Sequence, residues 1–256
     1  MVQQEVPLIG GNTSTVVRAG DTVRRNAGPW TPAVHALLRY LDAAGFEAPR
    51  VLGTDERGRE ILGYIPGEAY AGAENPVPDR VMDEEHLVEA ARLLRRYHDV
   101  VAGFAPPPDA QWRLVAPTRH ELICHNDWSP WNALFRDGRL EVMLDWDLAG
   151  PGSRLWDLAN AAYCWVSLIS AARLFSLGDR ARRIRLFSDA YGLEDRSELL
   201  STMRLRIDYV ARFIEARGRA GEPGFTTLLS WNTPTLMGND IAYLDENRST
   251  FERALK

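Results

Sequence analysis

Three oxygen-bearing side chains, Asp127, Asn132 and Asp145, define the chemistry that this sequence could perform. Asp127 and Asn132 lie five residues apart in Cys124-His-Asn-Asp-Trp-Ser-Pro-Trp-Asn132, where Ser129-Pro130 excludes the interior of a helix. Ala133–Phe135 and Leu140–Leu144 are apolar strands on either side of Asp137-Gly138, a hairpin turn. A hairpin folds back on itself, so Asp145, at the end of its second strand, returns to Asn132, at the start of its first. Two carboxylates and one amide oxygen then converge on one loop face. Donors of this kind suit magnesium, which takes few protein ligands and leaves positions open for phosphates.

The elements that must position this segment fall into two groups. In residues 1–67 the pattern predicts strands at Val6–Ile9, Val16–Ala19 and Thr22–Arg25, then a helix, then strands at Arg50–Thr54 and Ile61–Ile65. Gly20-Asp21 is a two-residue hairpin signal. Thr31-Pro32 starts the helix, with Thr at the cap and Pro at the first position. Val34, Leu37, Leu38 and Leu41 share its buried face, and Gly45 ends it. Pro66-Gly67 breaks the pattern and sets a lobe boundary, giving 1–67 and 68–256. Past it the chain reads as helices at Met82–Val101, Leu155–Ser176, Arg180–Tyr191, Ser197–Arg217 and Asn239–Leu255, with Gly221–Gly238 as a loop.

Composition narrows the function classes. A chain of 256 residues that is 45% apolar has the makings of a folded globular protein, large enough for two lobes sharing a cleft. A net charge of −5 argues against a protein that grips nucleic-acid backbones. Of the 30 basic residues only Lys256 is a lysine, so no ordinary lysine is available for chemistry. Cys124 and Cys164 lack metal-ligand spacing and read as buried thiols in a reducing compartment. The N-terminus has no signal-peptide pattern and no stretch reaches the length of a membrane span, so the reading is a soluble cytoplasmic protein.

His125-x-Asp127-x-x-x-x-Asn132, followed by a short hairpin ending in Leu144-Asp145-Trp146, resembles the catalytic core of the aminoglycoside phosphotransferase family. That family has the protein-kinase-like fold, with choline and homoserine kinases as relatives. The likeness continues through Gly150-Pro-Gly-Ser-Arg-Leu-Trp-Asp157-Leu-Ala159, with Gly-Ser where the family has Asp-Pro, and through the strand–helix–strand order at the N-terminus. The resemblance implies an α+β, bilobal protein-kinase-like fold: a small antiparallel-sheet N-lobe with one helix and a larger, mainly helical C-lobe. It implies transfer of the γ-phosphate of ATP or GTP, with Mg2+, to a hydroxyl of a small molecule.

In that frame Asp127 orients the acceptor hydroxyl or takes its proton, Asn132 binds magnesium, and Asp145 bridges the metal to the phosphates. His125 is then a structural hydrogen-bonder, and Asp157 braces the catalytic loop. Asp147 is a metal-shell group, an acceptor-site carboxylate or a turn residue; Trp128 and Trp131 are core or cleft wall. Gly10, Gly11, Asn12, Thr13 and Ser14 occupy the place of the phosphate-covering loop, though a glycine pair between strands is also simply a turn. Tyr64 and Ile65 fall where the chain would meet the adenine through its backbone.

The small lobe departs from the family. Its third strand carries Arg24 and Arg25 where a phosphate-holding lysine is usual, and alternation sends one to the cleft and one to solvent. Arg25 is favoured for the cleft because Val23 shares its face. The helix that normally supplies a glutamate partner offers His35 or Asp42. Two readings follow: an active kinase with an arginine clamp, or a non-catalytic member that binds nucleotide or ligand. A protein kinase is disfavoured, since no activation segment separates Asp145 from the helix near Leu155. The helices after Asp157 would build the acceptor site, where Asp189, Glu194, Asp195, Asp208, Glu215, Asp240, Asp245 and Glu246 could meet a polycation such as an aminoglycoside. Interleaved arginines make a solvated charged face the equal alternative, and other hydroxylated metabolites fit as well.

Overall fold

The computed structural model describes residues 4–8, 16–71, 75–172 and 174–256. The chain divides into two compact units, the first made of Met1–Val77, Tyr97–Asp127 and Trp131–Ser153, the second of Pro78–Arg96, Trp128–Pro130 and Arg154–Lys256.

The first unit is built on an antiparallel sheet. Strands β1 (Glu5–Pro7), β2 (Val16–Ala19) and β3 (Thr22–Asn26) precede helix α1 (Thr31–Ala43), and β4 (Val51–Thr54) and β5 (Arg59–Gly63) follow it. The sheet order is β1-β2-β3-β5-β4, so β5 returns to lie beside β3. The expected strand at Ile61–Ile65 therefore starts two residues earlier and ends two earlier, which brings Glu60 into the ladder opposite Arg25. Helix α1 buries Ala33, Val34, Leu37, Leu38 and Leu41, the face its spacing predicts. Trp30, not Thr31, is its cap; Thr31 is the first helical residue, and its Oγ1 accepts from the Gly28 N–H at 2.8 Å.

Strand β6 (Glu68–Ala69) pairs with β8 (Ala133–Arg136), and β8 with β9 (Arg139–Met143), forming a three-stranded sheet. Asp137 and Gly138 both have positive φ, 50° and 76°, as a tight Asp-Gly hairpin turn requires. A two-stranded ladder, β7 (Leu122–Cys124) with β10 (Gly150–Gly152), completes the unit. Gly150 is there because the backbone comes too close for a side chain. A Cβ at this position would sit 1.9 Å from the Leu114 carbonyl oxygen. Gly150→Ala is expected to cost about 2 kcal/mol or more of stability. An unchanged urea-unfolding midpoint would show that the Leu114 segment yields freely.

The second unit is helical. It holds most of α2 (Glu84–Val101), then α3 (Arg154–Trp165), α4 (Leu177–Tyr191), α5 (Leu199–Arg219), α6 (Phe225–Ser230), α7 (Thr233–Glu246) and α8 (Arg248–Leu255). Helix α5 packs on α3, α6 and α7, and α4 on α8. Ser176 and Asp179 cap α4 reciprocally, and Gly192, left-handed at φ 80°, ends it. Three expectations are corrected. The helix from Leu155 stops at Trp165 instead of Ser176. The expected loop Gly221–Gly238 contains α6 and the first turns of α7. The single helix at Asn239–Leu255 is two, divided at Asn247.

The break after Trp165 has a tertiary cause. Arg183 is buried, its guanidinium 4.0 Å from the Phe175 ring centre, and one Nη donates to the Trp165 carbonyl at 2.8 Å. Burial lowers this guanidinium to about 10, so it stays charged at neutral pH and faces the carbonyl end of α3. Arg180 donates to Ala172 O, and Asp240 accepts from the Ser170 N–H at 2.6 Å and from the Tyr163 hydroxyl at 2.5 Å. These contacts satisfy the Trp165 and Ala172 carbonyls and the Ser170 N–H, while the N–H groups of Val166, Ser167 and Leu168 donate back to Ala162, Cys164 and Tyr163. Both cysteines are free and buried. No helix among the described residues is long and apolar enough to cross a membrane.

Candidate active site

The hairpin does what its sequence requires. In the β8–β9 register Ala133 faces Met143, and the Leu144 N–H donates to the Asn132 carbonyl at 2.8 Å. Asp145, the next residue, therefore starts from the same end of the hairpin as Asn132. Its φ is 57°, a left-handed conformation that an aspartate tolerates better than most residues.

Asp127 is tied to Asn132 directly. The Asn132 amide donates to the Asp127 carbonyl and to Asp127 Oδ2, each at 2.8 Å. Asn132 is 7% exposed and Asp127 half-buried. Behind them His125 is fully buried; its Nε2 donates to the Leu144 carbonyl at 3.0 Å, and its Nδ1 accepts from the Asp127 N–H at 3.2 Å. One imidazole thus joins the loop to the second strand of the hairpin, and with both nitrogens engaged it is a brace rather than a base. Asn126, at φ 65°, donates to the Leu148 carbonyl at 3.0 Å. Trp146 lies against His125 and Tyr97, with ring centres 4.5 and 5.0 Å away, and is core. Trp128 is also core, donating to the Ala90 carbonyl at 3.0 Å, whereas Trp131 is 37% exposed.

Of the two strand arginines, Arg25 turns to the aspartates. It is 7% exposed, and its three nitrogens meet three carboxylates: Nε to Glu60 at 2.5 Å, Nη1 to Asp145 Oδ1 at 3.1 Å and Nη2 to Asp147 Oδ1 at 2.7 Å. Arg24 points to the other face, 3.8 Å from Glu5. Glu60 is capped on its other oxygen by His35 Nε2 at 2.8 Å. Asp42, the other candidate on α1, is exposed and 3.4 Å from Arg50. Arg113 closes the cluster, 3.7 Å from Asp147 Oδ2 and 4.2 Å from the Trp30 ring centre.

The electrostatics follow from burial. Burial alone would lower the Arg25 guanidinium, but Asp147, Glu60 and Asp145 hold it above its ordinary value. Burial would raise Glu60, yet the hydrogen bond from His35 and the charge of Arg25 keep it below the usual range. Asp147 is pushed up by burial first, with Asp145 and Glu60 adding to this against Arg25 and Arg113. Three carboxylates thus meet two guanidiniums, with His35 on the far oxygen of Glu60.

Among the described residues Asn132 Oδ1 accepts no hydrogen bond, and Asp145 is engaged through Oδ1 only. Two oxygen donors are thus left at one end of the hairpin, a donor set that fits a hard divalent cation. No cluster of three His, Cys, Asp or Glu side chains is assembled as a ready-made cage among the described residues. Magnesium does not need one, since it keeps most of its positions for water and phosphate.

The remaining sequence candidates are placed as follows. Tyr64 lies just past β5; its N–H donates to the Asp21 carbonyl at 2.9 Å and the Arg18 guanidinium covers its ring at 3.6 Å. Ile65 follows it, half-buried. Gly10, Gly11, Asn12, Thr13 and Ser14 lie outside the described residues. Asp157 is fully buried in the first turn of α3. Sequence reasoning missed Glu60 and Arg113. Glu60 could have been found as a carboxylate in phase with the buried Leu62, an unusual residue for the core face of a strand. Arg113 sits in an irregular segment and carries no such signal.

Five of the eight acidic candidates in the second unit are engaged within the protein, whereas Glu194, Asp195 and Glu246 are exposed. Asp189 pairs with Arg196 and Arg185, Asp208 with Arg212, Glu215 with Arg219, and Asp245 with Arg204. Asp240 is consumed internally by Tyr163 and Ser170.

A model of the phosphotransferase enzyme family matches residues 108–200. The trifolitoxin immunity protein of Rhizobium leguminosarum bv. trifolii is 39% identical over 207 residues, which span 75% of this chain and 76% of that protein. Among solved structures, amicoumacin kinase hAmiN in complex with AMP-PNP, Ca2+ and Ami is similar with a TM-score of 0.65 at 11% identity, over 93% of this chain and 88% of that one. The GDP complex of wild-type aminoglycoside 2'-phosphotransferase-IIIa gives 0.61 at 14%, over 94% and 93%. A choline/ethanolamine kinase family protein from Mesorhizobium loti gives 0.59 at 18%, over 98% and 91%. The fold they share with this chain is kinase-like.

Proposed function

The chain belongs to the aminoglycoside phosphotransferase family, and from that premise we propose that it transfers the γ-phosphate of ATP or GTP to a hydroxyl of a small molecule. The observation that carries this reading is the meeting of Asp127, Asn132 and Asp145 around one end of the β8–β9 hairpin, with Arg25 beside them. Asp127 accepts the proton of the attacking hydroxyl or orients it, held in place by the Asn132 amide. Asn132 and Asp145 would hold Mg2+, which when bound would supply positive charge to offset the phosphates. Arg25 contributes a guanidinium to the phosphates in place of a lysine, a flat fork instead of a point charge. Gly10, Gly11, Asn12, Thr13 and Ser14 cover the phosphates, and the chain at Tyr64 and Ile65 meets the base.

The pairing of carboxylates with arginines on α4, α5 and α7 favours an acceptor chosen through its hydroxyls over one chosen for many positive charges. A relative described as an immunity protein fits a hydroxyl-bearing toxin or antibiotic as that acceptor. Adding a phosphate gives such a molecule close to two negative charges, enough to spoil binding to its target.

A second reading, a non-catalytic module that binds nucleotide or ligand, draws on the same Arg25. Its guanidinium spans Asp145 and Asp147 and neutralises carboxylates that a metal would otherwise face. Calorimetry of ATP binding with and without magnesium, followed by a screen of hydroxylated compounds for ADP release, separates the two. Magnesium-dependent binding with acceptor-dependent ADP release supports the kinase. Binding without turnover against any acceptor supports the module, and no binding at millimolar ATP removes the nucleotide from both.

A further inference from the structure

We propose that Glu60 is a positioning residue that aims Arg25, with His35 behind it, so that the carboxylate anchoring the phosphate arginine comes from strand β5 and not from helix α1. This inference rests on the nucleotide-binding reading above and adds the part of the site that makes an arginine workable there.

Arg25 and Glu60 are directly opposite in the β3–β5 register, so their side chains leave the sheet on one face. Glu60 takes the Nε–H, the inner edge of the guanidinium, at 2.5 Å. With that edge fixed, the planar fork has little freedom about its last torsions, and both Nη groups must point outward, to Asp145 and Asp147. The second Glu60 oxygen is held by His35 Nε2 at 2.8 Å, which stops the carboxylate from rotating. Glu60 is 1% exposed and His35 and Arg25 are 7% exposed, so the chain of contacts runs through buried side chains until it reaches Asp145, whose side chain is 34% exposed.

A buried ion pair is a poor device for stability alone, because desolvation offsets most of its attraction. Its better use is to fix direction. Two of the three nitrogens of Arg25 end on the carboxylates of the proposed metal and phosphate site, and the third ends on a residue with no contact to that site among the described residues. Glu60 therefore acts through Arg25.

The test is a double-mutant cycle on magnesium-ATP affinity, read by calorimetry, with thermal unfolding of each variant alongside. Glu60→Gln is expected to weaken magnesium-ATP about 10- to 100-fold, and Arg25→Met at least as much. In the Arg25→Met background Glu60→Gln should add less than about 2-fold, because the group it aims is gone. Additive losses, or a Glu60→Gln variant that binds as the wild type does, would overturn the inference while leaving the nucleotide reading in place. Wild type that binds no magnesium-ATP would remove both. Should Glu60→Gln fail to fold, His35→Gln carries the cycle. It is expected to weaken binding several-fold in the wild-type background and not in Arg25→Met, and equal losses in both backgrounds count against the inference.

Discussion

Asp145→Asn is expected to weaken magnesium-ATP binding by about 100-fold or more while leaving the fold intact; even groups one layer behind a metal's ligands are worth 10- to 100-fold. The substitution isolates charge from shape. Asparagine tolerates the left-handed backbone that Asp145 adopts at φ 57°, where alanine would add strain to the comparison. The side chain is 34% exposed, and its described contact is with Arg25, which keeps Glu60 and Asp147 after the change. The unfolding temperature should therefore move by less than about 4 °C, the equivalent of roughly 1 kcal/mol in a chain of this size. Magnesium removal gives the matching control. In EDTA the wild type should bind ATP as weakly as Asp145→Asn does in magnesium, and the variant should be indifferent to EDTA. An Asp145→Asn variant that still gained affinity from magnesium would place the metal on other oxygens.

The parts of the molecule legible in sequence are those set by local rules. The β8–β9 hairpin is written in Asp137-Gly138, because few residue pairs accept positive φ twice in succession. Two apolar strands around it then leave no choice about where Asp145 ends up. Alternation along β3 likewise separated Arg24 from Arg25. What sequence did not disclose was set at a distance. Nothing in Val166-Ser-Leu-Ile-Ser170 forbids a helix; the stretch is pulled out of one by Asp240, Arg180 and Arg183, which are 8 to 70 residues away. Pro234, inside the expected loop Gly221–Gly238, sits in the first turn of α7, where its missing N–H costs nothing. Glu60 falls outside the expected strand because β5 starts at Arg59, two residues before Ile61. The register that puts it opposite Arg25 depends on β5 returning past β4 to pair with β3. Local chemistry located the reacting end of the site, and strand order supplied the group that aims Arg25.

Asp127→Asn should lower phosphate transfer to the acceptor found by screening about 100- to 10,000-fold, the range for a positioned acid or base, and leave magnesium-ATP affinity within about 3-fold. The split follows from where Asp127 is tied. Its side chain accepts from the Asn132 amide, and among the described residues the bonds of Arg25 go to Glu60, Asp145 and Asp147, so the groups proposed to hold the nucleotide keep their partners after the change. An asparagine at 127 can turn its own carbonyl to the Asn132 amide and keep that bond; it then presents an NH2 where a hydroxyl proton must be received, and an amide cannot take it. The loss should therefore fall on kcat, measured as acceptor-dependent ADP release at saturating ATP, and not on nucleotide binding. A turnover within about 3-fold of wild type would leave Asp127 as a brace for Asn132 and no more. Loss of affinity equal to the loss of rate would mean instead that Asn132 had swung out of place. Asp127→Ala distinguishes the two, since it removes the side-chain bond to the Asn132 amide and leaves only that to the backbone carbonyl of residue 127, and only in the second case should it weaken magnesium-ATP as much as Asp127→Asn does.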